Sequence, residues 1–450
     1  MRVMIVDSGT RGHVISEAYE KSDLVNSIVV AGMGKNNFVA WNRKKEVIAE
    51  KNCSVKSPES ILRTAKKYMP NLIDVAQDNA LALGSVDLLQ SQGFKVFGPS
   101  KKASRIEWDK AWSRNFMKKF GILHPEFKIF KYDDVVDAEN GYVSDIDFAD
   151  ILLAKGRSIY IKASGLCEGK GALRVRYEED VEKNILKMGE FGKAGETFLV
   201  EEGLEGEEFS FYAISDGMNF KILGDAKDYK RVFNNDEGEQ TGGMGSYSPT
   251  EMRIFLHRHK NNLVGKVING LGKNNGENHT CVGNPFRGIL YVGGIIPNEN
   301  HHNNKPHVIE YNVRWGDPEC QVILPGIKNY LELVLASIDG NIENIKVEHN
   351  GLKRVCVVGT SKGYPGDYED VRGKKILGLR ELIEKGSEEL KVYGEGIYVK
   401  DGEFYANGGR LFSIVGEGKT KVGARGRTYE AMANVNIEGN NLHYRKDIAA

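Results

Sequence analysis

The first hundred residues alternate short apolar runs with amphipathic stretches, and that alternation leaves few folds open. VMIV at Val3 to Val6 is followed by a glycine-containing turn, DSGTRG, and then by HVISEAYEK, whose apolar spacing suits a helix. A strand, a turn and a helix form the first half of a βαβ unit, which needs a parallel sheet. Further strand candidates lie at Ser27 to Ala31, Leu72 to Ala76 and Lys95 to Phe97, alternating with helical stretches at Glu59 to Tyr68 and Leu81 to Gln92. The expectation is a doubly wound parallel-sheet α/β domain over residues 1–103, closing near Gly98-Pro99.

Beyond it the pattern changes. Ser104 to Phe120 reads as a helix carrying Lys110 and stopped by Gly121, and Lys131 to Gly156 reads as an acidic, irregular surface insertion. Strand candidates at Ile159 to Lys162, Thr197 to Glu202, Glu208 to Ile214, Ile289 to Ile296 and Val308 to Tyr311 are separated by glycine turns, an α+β pattern for residues 104–328. After Pro325 a helix leads into VCVVGTSKGYPGDY and further glycine-spaced short strands up to Gly416, giving a small β-rich domain over 329–450.

A chain of 450 residues is long enough for two to four such domains. Lys plus Arg and Asp plus Glu are 62 each, so the net charge gives no reason to expect nucleic acid or an anionic membrane. Cys53, Cys167, Cys281, Cys320 and Cys356 are scattered without a CxxC pair, which argues against a disulfide framework or a zinc site and for a reducing compartment. The sequence runs straight into a strand pattern rather than a leader, and no apolar run reaches membrane-spanning length. The expectation is a cytoplasmic protein acting on small molecules, with no nucleic-acid or membrane partner, as a monomer or weak homodimer.

Four clusters carry candidate chemistry. In KASGLCEGKG, Lys162 to Gly171, a strand breaks into glycines flanked by lysines, which suits backbone amides approaching an anion such as phosphate; a plain hairpin with solvated lysines fits the stretch equally well. VEEGLEGEEFSF places Glu201, Glu202, Glu207 and Glu208 around a bend, where a carboxylate can accept ribose hydroxyls or simply be solvated. DAKDYKRVFNNDEGEQTGGMGSYSP, from Asp225, ends in a loop whose glycines permit conformations other residues resist, and the alternating signs of Asp228, Lys230 and Arg231 suit a zwitterionic or phosphorylated ligand or surface ion pairs. In HVIEYNVRWGDPECQVILP, Glu310 and Asn312 stand two apart on a strand and share a face. Their oxygens suit magnesium that also touches phosphates, Arg314 continues that face, and Asp317 follows in a turn; a paired polar edge is the plain alternative. His301, His302 and His307 read as a solvated loop rather than a metal site, and Cys167 as a small filler residue.

The order of these clusters resembles the ATP-grasp enzymes, and their wording is similar to the phosphoribosylamine–glycine ligases of purine biosynthesis. DYKRVFNNDEGEQTGGMGSYSP and IEYNVRWGDPECQVILP carry most of the likeness, with KASGLCEGKGALRV, GYPGDY and ANGGRLFSIVGEG extending it. The resemblance implies a central ATP-grasp domain with a lid over about 124–200, and cofactors ATP and Mg2+ or Mn2+. It implies that Lys110 and Lys162 contact the nucleotide and that the loop holding Gly165, Gly169, Lys170 and Gly171 closes over its phosphates. Glu201 and Leu204 would meet the adenine edge, Glu208 the ribose, and Glu310 and Asn312 the metal. Asp228, Lys230, Gly243, Met244, Gly245, Arg314 and Asp317 would line the pocket for glycine and 5-phosphoribosylamine, with Lys162, Arg314 and Asp317 catalytic.

The implied reaction activates glycine's carboxylate as glycyl phosphate at the expense of ATP, and the amine of phosphoribosylamine then displaces phosphate. The first domain departs from the family pattern: Asp7 to His13 read DSGTRGH where G-x-G-G-R-E-H is usual, and Val75 to Asn79 read VAQDN where a GPE-type turn is usual. Gly9, Thr10 and Arg11 still offer a helix N-terminus to a ribose phosphate. That departure leaves room for an ATP-grasp ligase with another amine acceptor. A nicotinamide-binding oxidoreductase fails for want of a third glycine after Gly9 and Gly12, and the presence of Lys162, Glu310, Asn312 and Arg314 argues against an inactive ATP-binding module.

Overall fold

The structure is a computed structural model that describes all residues except 35, 138–141, 144–145, 168–169, 176, 273–280 and 299–303. Strands β1 (Arg2–Val6), β2 (Ser27–Ala31), β3 (Glu46–Glu50), β4 (Leu72–Val75) and β5 (Val96–Phe97) form a parallel sheet in the order β3-β2-β1-β4-β5. Central β1 is buried on both faces: Val3 and Ile5 enter one core, Met4 and Val6 another. β3, which sequence reading misses, lies at the edge and carries a glutamate at each end. The helix expected over Leu81 to Gln92 is two helices, Asp78–Ala82 and Ser85–Ser91, because Gly84 breaks the run at φ +87°.

The next six strands are β6 (Phe127–Lys131), β7 (Val136–Asp137), β8 (Tyr142–Val143), β9 (Ser158–Ala163), β10 (Ala172–Val175) and β11 (Thr197–Gly203). Four of them make an antiparallel sheet, β10-β9-β11-β6, with its own core of Ile159, Ile161, Val200 and Met188. The acidic stretch read as irregular is largely ordered. It holds helix Tyr132–Val135, the β7–β8 ladder and helix Asp147–Ala154, whose Ala149 and Leu152 are buried while Asp147 and Asp150 face out. An acidic outer face hid an amphipathic helix.

The remaining strands are β12 (Gly206–Asp216), β13 (Phe220–Asp228), β14 (Arg231–Phe233), β15 (Glu237–Gln240), β16 (Gly245–Ser248), β17 (Arg287–Pro297), β18 (His307–Asn312), β19 (Lys353–Ser361), β20 (Ile376–Leu377), β21 (Leu390–Gly394), β22 (Ile397–Lys400), β23 (Glu403–Ala406), β24 (Arg410–Gly418), β25 (Asn436–Ile437) and β26 (Leu442–His443). Nine of them form one sheet in the order β18-β17-β12-β13-β16-β19-β24-β21, with β26 on β19. The C-terminal region is β-rich as expected, but its sheet is continuous with the central one. The short β16 makes the join, pairing Ser246 with Asp228 on one side and with Cys356 on the other. No helix among the described residues is long and apolar enough to cross a membrane.

Helix Tyr330–Asp339 lies between the first sheet and the central one, sharing a core with Val3 and Ile5 on one side and Ile214 on the other. One polar group sits in that seam. Asp74 on β4 accepts hydrogen bonds from the hydroxyls of Tyr19 at 2.8 Å and Tyr330 at 3.3 Å. Burial dominates these bonds and raises the Asp74 pKa to about 7. An acid whose folded pKa exceeds its unfolded value favours folding at low pH. That contribution is complete below about pH 4 and is lost as pH rises through about 7. Asp74→Asn is therefore expected to remove a destabilisation that grows by up to about 1.4 kcal/mol per pH unit across that window. Urea unfolding of both proteins at pH 5 and pH 8 checks it: the mutant should gain on the wild type at pH 8, and an equal difference at both pH values would contradict it.

Candidate active site

The alternation of side chains along four neighbouring strands builds one polar face. Glu208, Ser210 and Tyr212 of β12 lie beside Tyr291 and Gly293 of β17, which lie beside Glu310 and Asn312 of β18; Gly224, Ala226 and Asp228 of β13 continue the face on the other side. Tyr291, Tyr212 and Trp315 stack as its floor, with ring centroids 5.0 and 5.2 Å apart. Gly293 leaves room where a Cβ would come 3.1 Å from Glu310 Cγ.

Glu310 is the electrostatic centre. Asn312 Nδ2 donates to its Oε1 at 3.3 Å. Burial would raise its pKa, but Lys230, Lys162, Lys110 and Arg314 together hold it below the usual carboxylate range, so it is ionised. Desolvation lowers the pKa of Lys110, which Glu310 opposes, and Lys110 Nζ donates to the carbonyl of Gly165 at 3.0 Å. Desolvation also acts on Lys230, yet Tyr291, Glu208, Glu310 and Asp228 outweigh it and raise its pKa. Lys162, Arg314 and Lys230 also have other carboxylates beside them, so the four cations form one charged network centred on Glu310, of a kind that suits phosphate oxygens.

The second feature is a buried three-residue cluster at the lid's root. Glu201, 1% exposed, accepts from Arg114 Nε at 2.7 Å, from Arg114 Nη2 at 3.0 Å and from Lys162 Nζ at 2.6 Å. These partners outweigh desolvation and hold the Glu201 pKa down near 2. The carboxylate oxygens already take three donors inside the protein, and a short turn follows β11 just beyond. That turn, Leu204 and Glu205, is also the crossing from the lid sheet to the central sheet. Glu208 is exposed just beyond it.

Lys162 begins the glycine loop, whose base is tied to helix Lys110–Lys119. Lys110 N donates to Ser164 O at 3.0 Å, and Asp109 caps that helix by accepting from Trp112 N at 3.0 Å. Asp109 also divides the helix expected over Ser104 to Phe120. Gly165 and Gly171 are required by close approach, since a Cβ would lie 2.7 Å from Ala194 Cα and from Cys167 Cβ respectively. Lys170 is exposed, and Gly169 lies outside the described residues. β10 returns antiparallel to β9, so the loop is a hairpin turn.

On the opposite flank, Gly243 at φ +114° brings the TGGMG loop against the GDP turn: its Cβ would lie 2.3 Å from Pro318 Cδ and 3.1 Å from Asp228 Oδ1. Met244 is fully buried, and a Cβ on Gly245 would meet Cys356 O at 2.6 Å. Asp228 Oδ1 is buried with no hydrogen-bond partner among the described residues. Desolvation, then Glu319 and Glu208, raise its pKa against Lys230. Asp317 accepts from Gln321 Nε2 at 2.7 Å and from Arg410 Nη2 at 3.1 Å.

The N-terminal motif also reaches this place. Asp7 Oδ1 accepts from the amides of Gly9 at 2.8 Å and Gly12 at 3.0 Å, and Arg11 pairs with Asp7 at 3.1 Å while donating to Trp315 O at 3.1 Å. Thr10 donates to Glu395 at 3.2 Å, and Glu395 pairs with Arg410 at 3.2 Å. Arg314 pairs with Glu107 at 3.2 Å and lies 4.0 Å from Asp78.

Sequence reading missed Arg114, Glu107, Asp78, Glu395 and Arg410. Arg114 looks like any helix cation, Glu107 and Glu395 stand in no motif, and Asp78 sits in VAQDN, a stretch noted only for its departure from the family pattern. Arg410 does sit in NGGR, within a stretch whose likeness was noticed but given no site role.

Three family models match the chain: the phosphoribosylglycinamide synthetase N domain over residues 1–107, its ATP-grasp (A) domain over 108–320 and its C domain over 354–450. The chain is 35% identical to phosphoribosylamine–glycine ligase of Caldanaerobacter subterraneus subsp. tengcongensis, with 100% of both chains covered. Its fold matches a crystal structure of phosphoribosylamine–glycine ligase from Thermotoga maritima with TM-score 0.77 and 30% identity, covering 100% of both. The biotin carboxylase domain of Hydrogenobacter thermophilus 2-oxoglutarate carboxylase, crystallised with MgADP and bicarbonate, shares the fold at TM-score 0.66 and 15% identity over 98% of this chain and 91% of that one.

Removing Glu201 strands two cations in the interior. Glu201→Ala is expected to cost about 3–5 kcal/mol, as for breaking other buried pairs. Denaturant unfolding checks this, and a loss below about 1 kcal/mol, the range of surface pairs, would mean the cluster is solvated.

Proposed function

The chain belongs to the phosphoribosylglycinamide synthetase family and is an ATP-dependent ligase of purine biosynthesis, and on that premise we propose how its residues divide the work. The reaction joins glycine to 5-phosphoribosylamine, giving glycinamide ribonucleotide, ADP and phosphate. The observation that carries the assignment of roles is the ionised Glu310–Asn312 pair set among Lys110, Lys162, Lys230 and Arg314. Lysines and an arginine converging on an ionised carboxylate and an amide suit a metal-bound triphosphate and a ribose phosphate rather than a neutral substrate.

Glu310 and Asn312 offer hard oxygens, and among the described residues no cluster of three or more His, Cys, Asp or Glu could hold a metal unaided. Two protein oxygens completed by phosphates and water fit Mg2+, with Mn2+ in its place as an alternative. The ion's contribution is to neutralise charge on the phosphates.

In the proposed course, a glycine carboxylate oxygen bonds to the γ-phosphorus while the bond to the β-bridging oxygen breaks. The amine of phosphoribosylamine then attacks the carbonyl carbon of glycyl phosphate, expels phosphate and loses a proton. Lys110 and Lys162 hold the phosphate charge, Lys162 without swinging because Glu201 anchors it. The Gly165–Gly171 loop shields the acyl phosphate from water. Leu204 meets the adenine and Glu208 the ribose hydroxyls. Asp228 and Lys230 face each other beside Gly243 and suit the ammonium and carboxylate of glycine. The amides of Thr10 and Arg11, with Arg314 and Asp317, face phosphoribosylamine; Asp228 and Asp317 are carboxylates suitably set for its proton. Five free thiols support a reducing compartment, and we take the enzyme to work in the cytoplasm as a monomer or weak homodimer.

ADP release by the purified protein with MgATP tests the substrates. It is expected only when glycine and freshly made phosphoribosylamine are both present; release with a different amine instead would overturn the assignment. In the same assay Glu310→Ala should lower turnover by at least about 10³-fold with its circular dichroism unchanged. Turnover near wild type would remove Glu310 from the site.

A further inference from the structure

Asp228 and Lys230 stand on either side of Tyr229, so their side chains share one face while Tyr229 points to the other. The backbone of Tyr229 is also the anchor of the TGGMG loop: its amide donates to Gly245 O at 3.0 Å and its carbonyl accepts from Met244 N at 2.8 Å. Behind it, the Tyr229 hydroxyl accepts from Ala449 N at 3.1 Å, and the Arg445 guanidinium lies over its ring at 5.1 Å.

Arg445 is 1% exposed, although both its carboxylate partners face solvent more than it does. Its Nη1 donates to Arg231 O at 3.0 Å and to Asp236 Oδ1 at 2.7 Å, while Nε and Nη2 form a fork on Asp447 at 2.8 and 2.6 Å. Asp447 in turn accepts from Asn235 N at 2.8 Å, Lys446 N donates to Asn234 Oδ1 at 2.9 Å, and His443 Nε2 lies 2.9 Å from Val232 O. Asn235 and Asp236 have φ of +58° and +55°, an unfavourable pair that neighbouring contacts must sustain. Apart from the fork on Asp447, which holds the guanidinium in place within its own segment, the bonds of Arg445, Asp447, Lys446 and His443 join that segment to the β14–β15 hairpin. The two stems of that hairpin run directly into Lys230 and into Thr241, which donates to Lys230 O through both N and Oγ1 at 2.8 Å.

We propose that Arg445 is a positioning residue for the glycine and phosphoribosylamine pocket, acting through the β14–β15 hairpin and Tyr229 on Asp228, Lys230 and the TGGMG loop. It touches neither substrate nor nucleotide. The inference rests on the reading that Asp228 and Lys230 line that pocket. Among the described residues no hydrogen bond or ion pair joins Lys110, Lys162 or Glu201 to the clamp, so the two should separate in kinetics.

The test uses the full chain with R445M, R445K and D236A. Asp236 is 66% exposed, so D236A cuts one bond of the clamp without opening a core. Expected for R445M is at least a tenfold rise in KM for glycine or phosphoribosylamine, with KM for ATP and Kd for ADP within twofold of wild type. R445K should recover part of the loss, and D236A should show the same pattern at about threefold. R445M and D236A both leaving the acceptor KM values within twofold would overturn the proposal, as would a loss of ADP affinity in step with them. If R445M does not fold, D236A decides. D228N in the same assays separates the two readings. Unchanged acceptor KM values in D228N, with the clamp variants still impaired, would remove Asp228 from the pocket and leave Arg445 as its positioner; impairment in D228N alone would refute the clamp.

Discussion

The site hangs on one buried interaction, the grip of Arg114 on Glu201. Arg114 comes from the helix that starts at Lys110, Glu201 from the last strand of the lid sheet, and Arg114 Nη2 also donates to Ile309 O at 2.6 Å, one residue before Glu310. A single guanidinium thus fixes the helix that carries Lys110, the end of β11 and the strand that carries Glu310 relative to one another. Such a group is costly to bury unless every donor finds an acceptor, and here the fork geometry of arginine meets that demand where a lysine would not. Lys162 adds a second charge to the same carboxylate, which lets a lysine reach into the site while its stem stays fixed.

The rest of the site follows from that frame as a charge problem. Glu310 lies among four cations, and on the other flank Asp228 lies near Glu208 and Glu319, opposed by Lys230. On the roles proposed above, the lysine-rich flank is the one that takes phosphates and the carboxylate-rich flank the one that takes an ammonium. Lys230 lies between and feels both Glu310 and Asp228. A protein with zero formal net charge concentrates its local fields in this way without becoming a general anion binder.

How much of this was legible depends on the range of the forces involved. Period-two alternation disclosed that Glu310 and Asn312 share a face, and the parallel sheet was readable from strands bounded by turns, because both depend on neighbours within a few residues. The glycine loop was legible as a turn, and its place over phosphates came only from its order relative to the other motifs. Arg114, Glu107 and Arg410 were not legible, because what makes them part of the site is a partner 87, 206 or 93 positions away. The split of the expected 81–92 helix was a local misreading, since Gly84 was visible and was outweighed by the surrounding leucines. The continuity of the central and C-terminal sheets was hidden for the opposite reason: a four-residue strand, GSYS, carries the whole join.

That short strand explains why the C-terminal region belongs to the site at all. β16 pairs with β13 next to Asp228 and with β19 beyond it, so the sheet that presents Asp228 is propped from the C-terminal side. β24 begins at Arg410, which bridges Asp317 and Glu395, and Glu395 receives Thr10 at the N-terminal helix. Three stretches of sequence far apart in the chain thus meet through Arg410. On the roles proposed above, the division of labour is mechanical as well as chemical: the nucleotide flank is joined to the central sheet across the two-residue turn Leu204–Glu205, and the acceptor flank is braced by one continuous sheet.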